Sequence, residues 1–339
     1  MKIGQRRKKK RYIPVLLAVG VLFLLVITFR LFLYWNTPAE DPGREVTVEI
    51  QGGSTFISAA QKLRDEGVIR SLKPFVLLGK IKGLSNSIQA GELRFRTDMT
   101  PVEVLDILSR GKAVVYSVTL PEGYTARQIA RLLAEKGLGD ETRVLALTED
   151  VSFARSLGLP ADRLEGFLFP DTYSWPKGTP EEDLLRRMVN RYQNVFDSSM
   201  KARSRELGMT ELEVVTLASI VERETGVDSE RSLVSAVFHN RLTKGYRLQT
   251  DPTVIYGLKD FDGNLTKKHL RTDTPYNTYT RGGLPPGPIA NPGAASLKAT
   301  LYPEDVSYLY FVSRGDGTHI FSNTLVEHNK AVKAYQLGK

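Results

Sequence analysis

The residues best placed to do chemistry in this 339-residue chain lie at the end of one apolar helical stretch. It runs Met209-Thr-Glu-Leu-Glu-Val-Val-Thr-Leu-Ala-Ser-Ile-Val-Glu222-Arg-Glu-Thr-Gly226. Thr210 and Glu213 fit the Thr-x-x-Glu capping box, which marks the helix start. Val214 to Val221 is apolar except for Thr216 and Ser219, so the helix is expected to be covered by protein on most sides. Gly226 reads as its stop. Glu222 follows Ala218 and Ser219 by one turn and Val215 by two, on the same face. The two small residues leave room for a ligand there. Burial disfavours the charged form of a carboxyl and raises its pKa. Glu222 at the mouth of a cleft is therefore expected to serve as a general acid near neutral pH. The plainer alternative is a solvated or salt-bridged Glu beside Arg223. Glu224 lies about 200° around the helix from Glu222. It reads as a structural or supporting residue that does not share the cleft face.

The elements that must position this helix can be read in outline. An internal echo relates Val48-Glu-Ile to Val118-Thr-Leu at an offset of 70 residues. Gly53 then matches Gly123, Thr55 matches Thr125, Leu63 matches Leu133 and Gly67 matches Gly137. Each copy reads as a strand, a glycine turn and an amphipathic helix stopped by glycine, and two such units are expected to pack side by side. The first continues through a helix over Leu72 to Leu84, a strand near Ala90 to Phe95, and a helix over Pro101 to Ser109 with Thr100 as N-cap. Helices dominate from about residue 140, with Glu181 to Phe196 and Met200 to Leu207 before the Glu222 helix and Ser229 to Leu242 after it. Residues Arg247 to Pro292 read as loop-rich. A hairpin over Tyr308 to Ser313 and His319 to Ser322, turning at Arg314-Gly-Asp-Gly, and a helix over Leu325 to Tyr335 close the chain.

Composition narrows the class. The net charge is +9, but seven cations (Lys2, Arg6, Arg7, Lys8, Lys9, Lys10 and Arg11) fall in the first eleven residues. About +2 remains without them, which argues against a nucleic-acid surface. Ile13 to Phe29 carries no charge, and beyond Arg30 the apolar run resumes from Leu31 to Trp35. Together these residues make roughly 34 Å of helix, enough to cross a bilayer. Tyr34 and Trp35 suit the interfacial aromatic belt, and the cations ahead of the span place the N-terminus in the cytoplasm. A cleaved signal peptide would have a shorter apolar core and a small-x-small site, which Asn36-Thr-Pro-Ala-Glu matches poorly. The chain has no cysteine, so disulfides and thiolate zinc sites are excluded, and its four histidines show no metal-ligand spacing; no metal or cofactor is expected.

Four loop segments concentrate Asp, Asn, Gln, Tyr and Pro: Leu164-Glu-Gly-Phe-Leu-Phe-Pro-Asp171-Thr-Tyr173, Leu248-Gln-Thr-Asp-Pro-Thr253, Pro275-Tyr-Asn-Thr-Tyr279 and Gly283-Leu-Pro-Pro-Gly-Pro-Ile-Ala-Asn-Pro-Gly293. Carbohydrates need such groups, for hydrogen bonds to hydroxyl and N-acetyl groups and for flat faces against sugar rings. Taken singly, each residue can equally well cap a turn. Gln249, Asp251, Tyr276 and Asn277, with Glu224 beside them, are the substrate-binding candidates. His319 and His328 are expected to orient loops or satisfy backbone groups.

Together with Ala218-Ser-Ile-Val-Glu222-Arg-Glu-Thr and the C-terminal His319-x-Phe-Ser and His328-Asn329, these segments closely resemble the YceG-like family of membrane-anchored endolytic peptidoglycan transglycosylases. The resemblance implies an α+β fold in a fixed order. A basic cytoplasmic tail (1–11) and a transmembrane anchor (12–35) lead through a linker (36–45) into a LysM-like peptidoglycan-binding module (46–112). A helix-rich catalytic domain (113–336) follows, outside the cytoplasmic membrane. It also implies internal cleavage of nascent glycan strands between N-acetylmuramic acid and N-acetylglucosamine, an association with cell-wall elongation synthases, and a role in setting glycan length. The family's essential acid/base glutamate maps, on this resemblance, onto Glu222. A lytic transglycosylase adds no water: the muramic acid 6-hydroxyl attacks its own anomeric carbon, so one carboxyl can protonate the leaving oxygen and then accept the hydroxyl proton. A lysozyme-type hydrolase pairing Glu222 with Asp251 and a non-catalytic wall-binding scaffold are the alternatives.

Overall fold

A computed structural model of the chain describes residues 5–84, 88–258 and 261–337. Lys2 of the basic tail, residues 85–87 of the expected module and residues 259–260 of the expected loop region lie outside the described residues. The chain divides into two compact units. One comprises Met1–Tyr116 with Pro176–Gly178, the other Ser117–Trp175 with Thr179–Lys339.

The first unit begins with α1 (Gln5–Trp35), whose stretch Pro14–Trp35 is apolar and long enough to cross a bilayer. It continues with β1 (Glu45–Ile50), α2 (Phe56–Asp65), α3 (Leu72–Ile81), β2 (Gly91–Arg96) and α4 (Pro101–Arg110). β1 and β2 pair antiparallel, from Glu45 opposite Arg96 to Ile50 opposite Gly91. Strict alternation along β1 buries Val46, Val48 and Ile50. These side chains meet Phe56, Leu63, Phe75, Leu93, Phe95 and Leu105 in one core, each worth about 1.5–3 kcal/mol on burial. The Thr100 capping box and Pro101 start α4 where the sequence predicts. Tyr34 and Trp35 do not project freely: Tyr34 donates to the Ser71 carbonyl at 2.6 Å and the Trp35 indole to the Pro74 carbonyl at 3.0 Å. The polar segment after α1 is likewise fastened. The Glu40 amide donates to the Thr97 carbonyl at 3.0 Å, and the Thr97 hydroxyl to the Glu40 carboxylate at 2.7 Å.

The second unit is helix-rich. β3 (Val115–Thr119) leads into it, followed by α5 (Ala126–Glu135), α6 (Glu141–Thr148), α7 (Val151–Ser156) and β4 (Thr172–Pro176), which pairs with β3. Next come α8 (Glu181–Val195), α9 (Ser198–Glu206), α10 (Glu211–Glu224) and α11 (Arg231–Thr243), the last preceded by a short 3-10 turn over Asp228–Glu230. α12 (Asp251–Gly257), α13 (Lys267–Arg271) and α14 (Ala294–Leu301) follow, then β5 (Tyr310–Ser313), β6 (His319–Ser322) and α15 (Leu325–Val332). The expected loop-rich stretch thus contains two short helices. β5 and β6 form the predicted hairpin, with Ser313 opposite His319. The echo is real at the level of local structure, because Thr55 and Thr125 both cap helices and Gly67 and Gly137 both turn with positive φ. Its two copies nevertheless belong to different compact units, and each packs within its own.

Candidate active site

α10 is the centre of the second unit and packs against α9, α11, α12 and α14. Its start carries both hydrogen bonds of the capping box between Thr210 and Glu213. Every residue from Val214 to Val221 is buried. Ala218 and Ser219 do not leave space for a ligand, because protein occupies it: the Ile289 amide donates to the Ser219 hydroxyl at 3.0 Å. Gly166 shows how tightly these segments close on the helix. It has φ +89°, and a Cβ there would meet Pro288 at 2.4 Å and Val215 at 2.9 Å.

The two glutamates at the end of α10 face different surroundings. The Glu222 side chain is 6% exposed. It accepts from the Gly293 amide at 3.0 Å and from the Arg231 guanidinium at 3.4 Å. Arg231 also lies 3.9 Å from Glu122 and pairs with Asp228. Burial first, and then the charge of Glu222, hold the Glu122 carboxyl above the usual carboxylate range, against the opposing charge of Arg231. A Cβ at residue 293 would meet the Glu122 carboxylate, which would have to swing aside. Glu222 is therefore locked into an ion-pair cluster at the start of α14.

Glu224 instead lines a groove of about 510 Å³. The groove also takes in Gln249, Asp251, Tyr279, Arg241 and His319. The Thr250 hydroxyl donates to Glu224 Oε1. Among the described residues Oε2 has no protein donor, which leaves that oxygen for a substrate. Burial holds the Glu224 carboxyl above the usual carboxylate range; the neighbouring Asp251 adds to this, while Thr250, His319 and Arg241 oppose it. Gln249 and Asp251 are thus brought to the groove as expected, but beside Glu224. Gln249 has φ +53°, the one positive φ at a non-glycine residue among those described. This left-handed backbone is costly outside glycine and is characteristic of functional sites. Asp251 accepts from the Tyr279 hydroxyl at 2.7 Å.

Tyr276 and Asn277 lie elsewhere. Tyr276 lines a separate cavity of about 630 Å³ with Arg163, Glu165 and Pro288, and its ring packs edge-on against Tyr256. Asn277 is fully buried. Its amide donates to the carbonyls of Thr272 (2.7 Å) and Leu270 (3.2 Å), and its oxygen accepts from the Tyr279 amide at 2.8 Å. With those atoms committed to the loop, it has little left for a sugar.

The groove residues that sequence reasoning passed over are Thr250, Tyr279 and Arg241, and His319 was expected only to orient a loop or satisfy backbone groups. Thr250 and Tyr279 stand inside the two segments already singled out. Arg241 carried no local signal. It is buried, and it donates to the carbonyls of Leu309 (2.7 Å), Leu248 (2.8 Å) and Arg247 (3.1 Å), tying α11 to the groove loop.

A second buried carboxylate, Glu165, serves the scaffold. It accepts from the Ala126 amide at the start of α5 (2.9 Å), from Asn291 (3.0 Å) and from the Tyr256 hydroxyl (3.2 Å). Burial nonetheless outweighs these bonds and pushes its carboxyl up to about 7. A folded-state value raised above the ordinary 4.5 means that its stabilising contribution is complete below about pH 4.5 and is lost as pH rises through about 7. The gap corresponds to something on the order of 3 kcal/mol. Thermal melts of the wild type are expected to fall by several degrees between pH 5 and pH 8, and Glu165→Gln is expected to flatten that slope. Identical slopes in the two proteins would contradict the assignment.

A family model described as the YceG-like family matches residues 48–334. A Bacillus subtilis (strain 168) protein named endolytic murein transglycosylase is 34% identical, and the alignment covers 90% of this chain and 89% of that protein. A Streptococcus pneumoniae R6 protein of the same name is 28% identical over 85% of this chain and 58% of its own length. The crystal structure of a yceG-like protein from Listeria monocytogenes superposes with a TM-score of 0.59 at 33% identity, covering 85% of this chain and 99% of that one.

Proposed function

Because this chain belongs to the YceG-like family, we propose that it is a lytic transglycosylase that cuts peptidoglycan glycan strands internally, with Glu224 carrying the proton. The observation that bears this reading is the position of Glu224. It closes a buried helix, faces a polar groove, and among the described residues keeps one carboxyl oxygen free of protein donors. Burial favours its protonated form, which is what a general acid needs before reaction. Glu224 would donate its proton to the glycosidic oxygen as that bond breaks. The resulting carboxylate, still held by the Thr250 hydroxyl, would take the proton of the muramic acid 6-hydroxyl as that oxygen closes on the anomeric carbon. The product end is a 1,6-anhydro sugar, and no water enters. The attacking hydroxyl is already part of the substrate, so its alignment costs little entropy. Gln249 and Asp251 offer hydrogen-bonding groups to the strand.

The order β1–α2–α3–β2 in the first unit, with its antiparallel strand pair, supports reading residues 46–112 as a LysM-like glycan-binding module. α1 supports a single-pass anchor that holds the enzyme outside the cytoplasmic membrane, although a signal sequence near an N-terminus can also be long and apolar enough to meet that measure. There the enzyme would act on nascent strands and terminate their elongation beside the synthases. One observation favours a second reading: Asp251 lines the same groove as Glu224, as a hydrolase with two carboxylates requires. Mass spectrometry of fragments released from purified glycan strands separates the two. Muramic ends lighter by one water are expected. Reducing, hydrated ends throughout would establish hydrolysis instead.

A further inference from the structure

We propose that His319, clamped by Glu230, is a positioning residue that governs the proton on Glu224. This rests on the reading of Glu224 as the acid and base. The Glu230 carboxylate grips His319 at two points, accepting from its backbone amide at 3.0 Å and contacting Nδ1 at 2.7 Å. The two side chains are only 12% and 11% exposed. Phe311 packs edge-on against the imidazole, with ring centroids 5.4 Å apart. A carboxylate on Nδ1 assigns the proton to that nitrogen and leaves Nε2 as the free end of the ring. His319 lines the groove that holds Glu224.

The physical role follows from the two states Glu224 must adopt. It begins as an acid and becomes a carboxylate in mid-reaction. A cation beside it stabilises the second state and makes proton donation easier. The charged groups acting on Glu224 are Asp251 from α12, Arg241 from α11 and His319 from β6. Among the described residues Tyr279, Tyr310 and His328 complete the titratable lining of the groove, and the Glu230 carboxylate contacts His319. Arg241 is a permanent cation committed to backbone carbonyls. His319 reaches the same groove from the hairpin with its ring held by Glu230, and it is the positively acting neighbour of Glu224 that a neutral side chain can replace.

The test measures kcat and KM against pH for the full-length protein in detergent, on uncrosslinked peptidoglycan strands, for the wild type, His319→Gln and Glu230→Gln. Removing the His319 charge strengthens the hold of Glu224 on its proton. The alkaline limb of the rate is expected to move up by about 0.5–1 pH unit, with kcat lowered about 10-fold and KM little changed. Glu230→Gln keeps an acceptor for Nδ1 but removes the carboxylate that clamps His319, so its limb is expected to move the same way by less. It also carries the test if His319→Gln does not fold. A lower rate with both limbs in place means that the dyad only holds the loop, and the proposal fails; an unchanged rate overturns it as well. Normal cleavage by Glu224→Gln would instead remove the reading on which the dyad rests.

Discussion

Glu224→Gln is expected to lower the release of anhydro-ended fragments by about 10³-fold or more while leaving the fold intact. Glutamine has the shape of glutamate and can still accept from Thr250, but it has no proton to give and no carboxylate to receive one. The carboxyl it replaces is buried, so removing a group that must ionise in a desolvated position does not weaken the native state. Circular dichroism should show an unchanged spectrum and a thermal midpoint equal to or slightly above that of the wild type. Fragment release is read by liquid chromatography with mass spectrometry on the same strands. If Glu224→Gln cleaves within a few-fold of the wild type, the groove does not act through this residue.

Glu222→Gln should have the opposite outcome. Glu222 and Arg231 are 6% and 8% exposed, and the Arg231 Nε already lacks a partner. Taking the charge from Glu222 removes the buried partner of Arg231, which the exposed Asp228 and half-exposed Glu122 replace only in part, at a cost of about 3 kcal/mol. For a unit of this size the thermal midpoint is expected to fall by roughly 6–12 °C. The Gly293 amide keeps its acceptor, so the start of α14 stays in place and cleavage per folded molecule should remain within a few-fold of the wild type. A Glu222→Gln protein that melts normally but does not cleave would return the proton to Glu222, as the sequence alone suggested.

These paired outcomes mark where the sequence stops being informative. The capping box of α10, its apolar run and the angular separation of Glu222 and Glu224 are local properties. They follow from helix geometry and from side chains that bond within one turn. The same holds for the apolar span of α1, the alternation in β1, the Thr100 cap and the β5–β6 hairpin. The four loop segments drew attention by composition, and two of them supply groove residues.

The sequence by itself determined that two carboxylates emerge from the end of one buried helix on opposite sides. It did not determine which side faces a groove. That depends on what the rest of the chain lays against each side: Gly293 and Arg231 over Glu222, and open space edged by Thr250, Asp251 and His319 at Glu224. Tyr276 and Asn277 lie away from the Glu224 groove for the same reason. A polar side chain in a loop bonds either to a ligand or to its own backbone, and only the folded path decides which partner is within about 3 Å. His319 reaches the groove of Glu224 by way of a hairpin far along the chain. Helical periodicity is a property of neighbours in sequence, whereas a binding site is a property of neighbours in space.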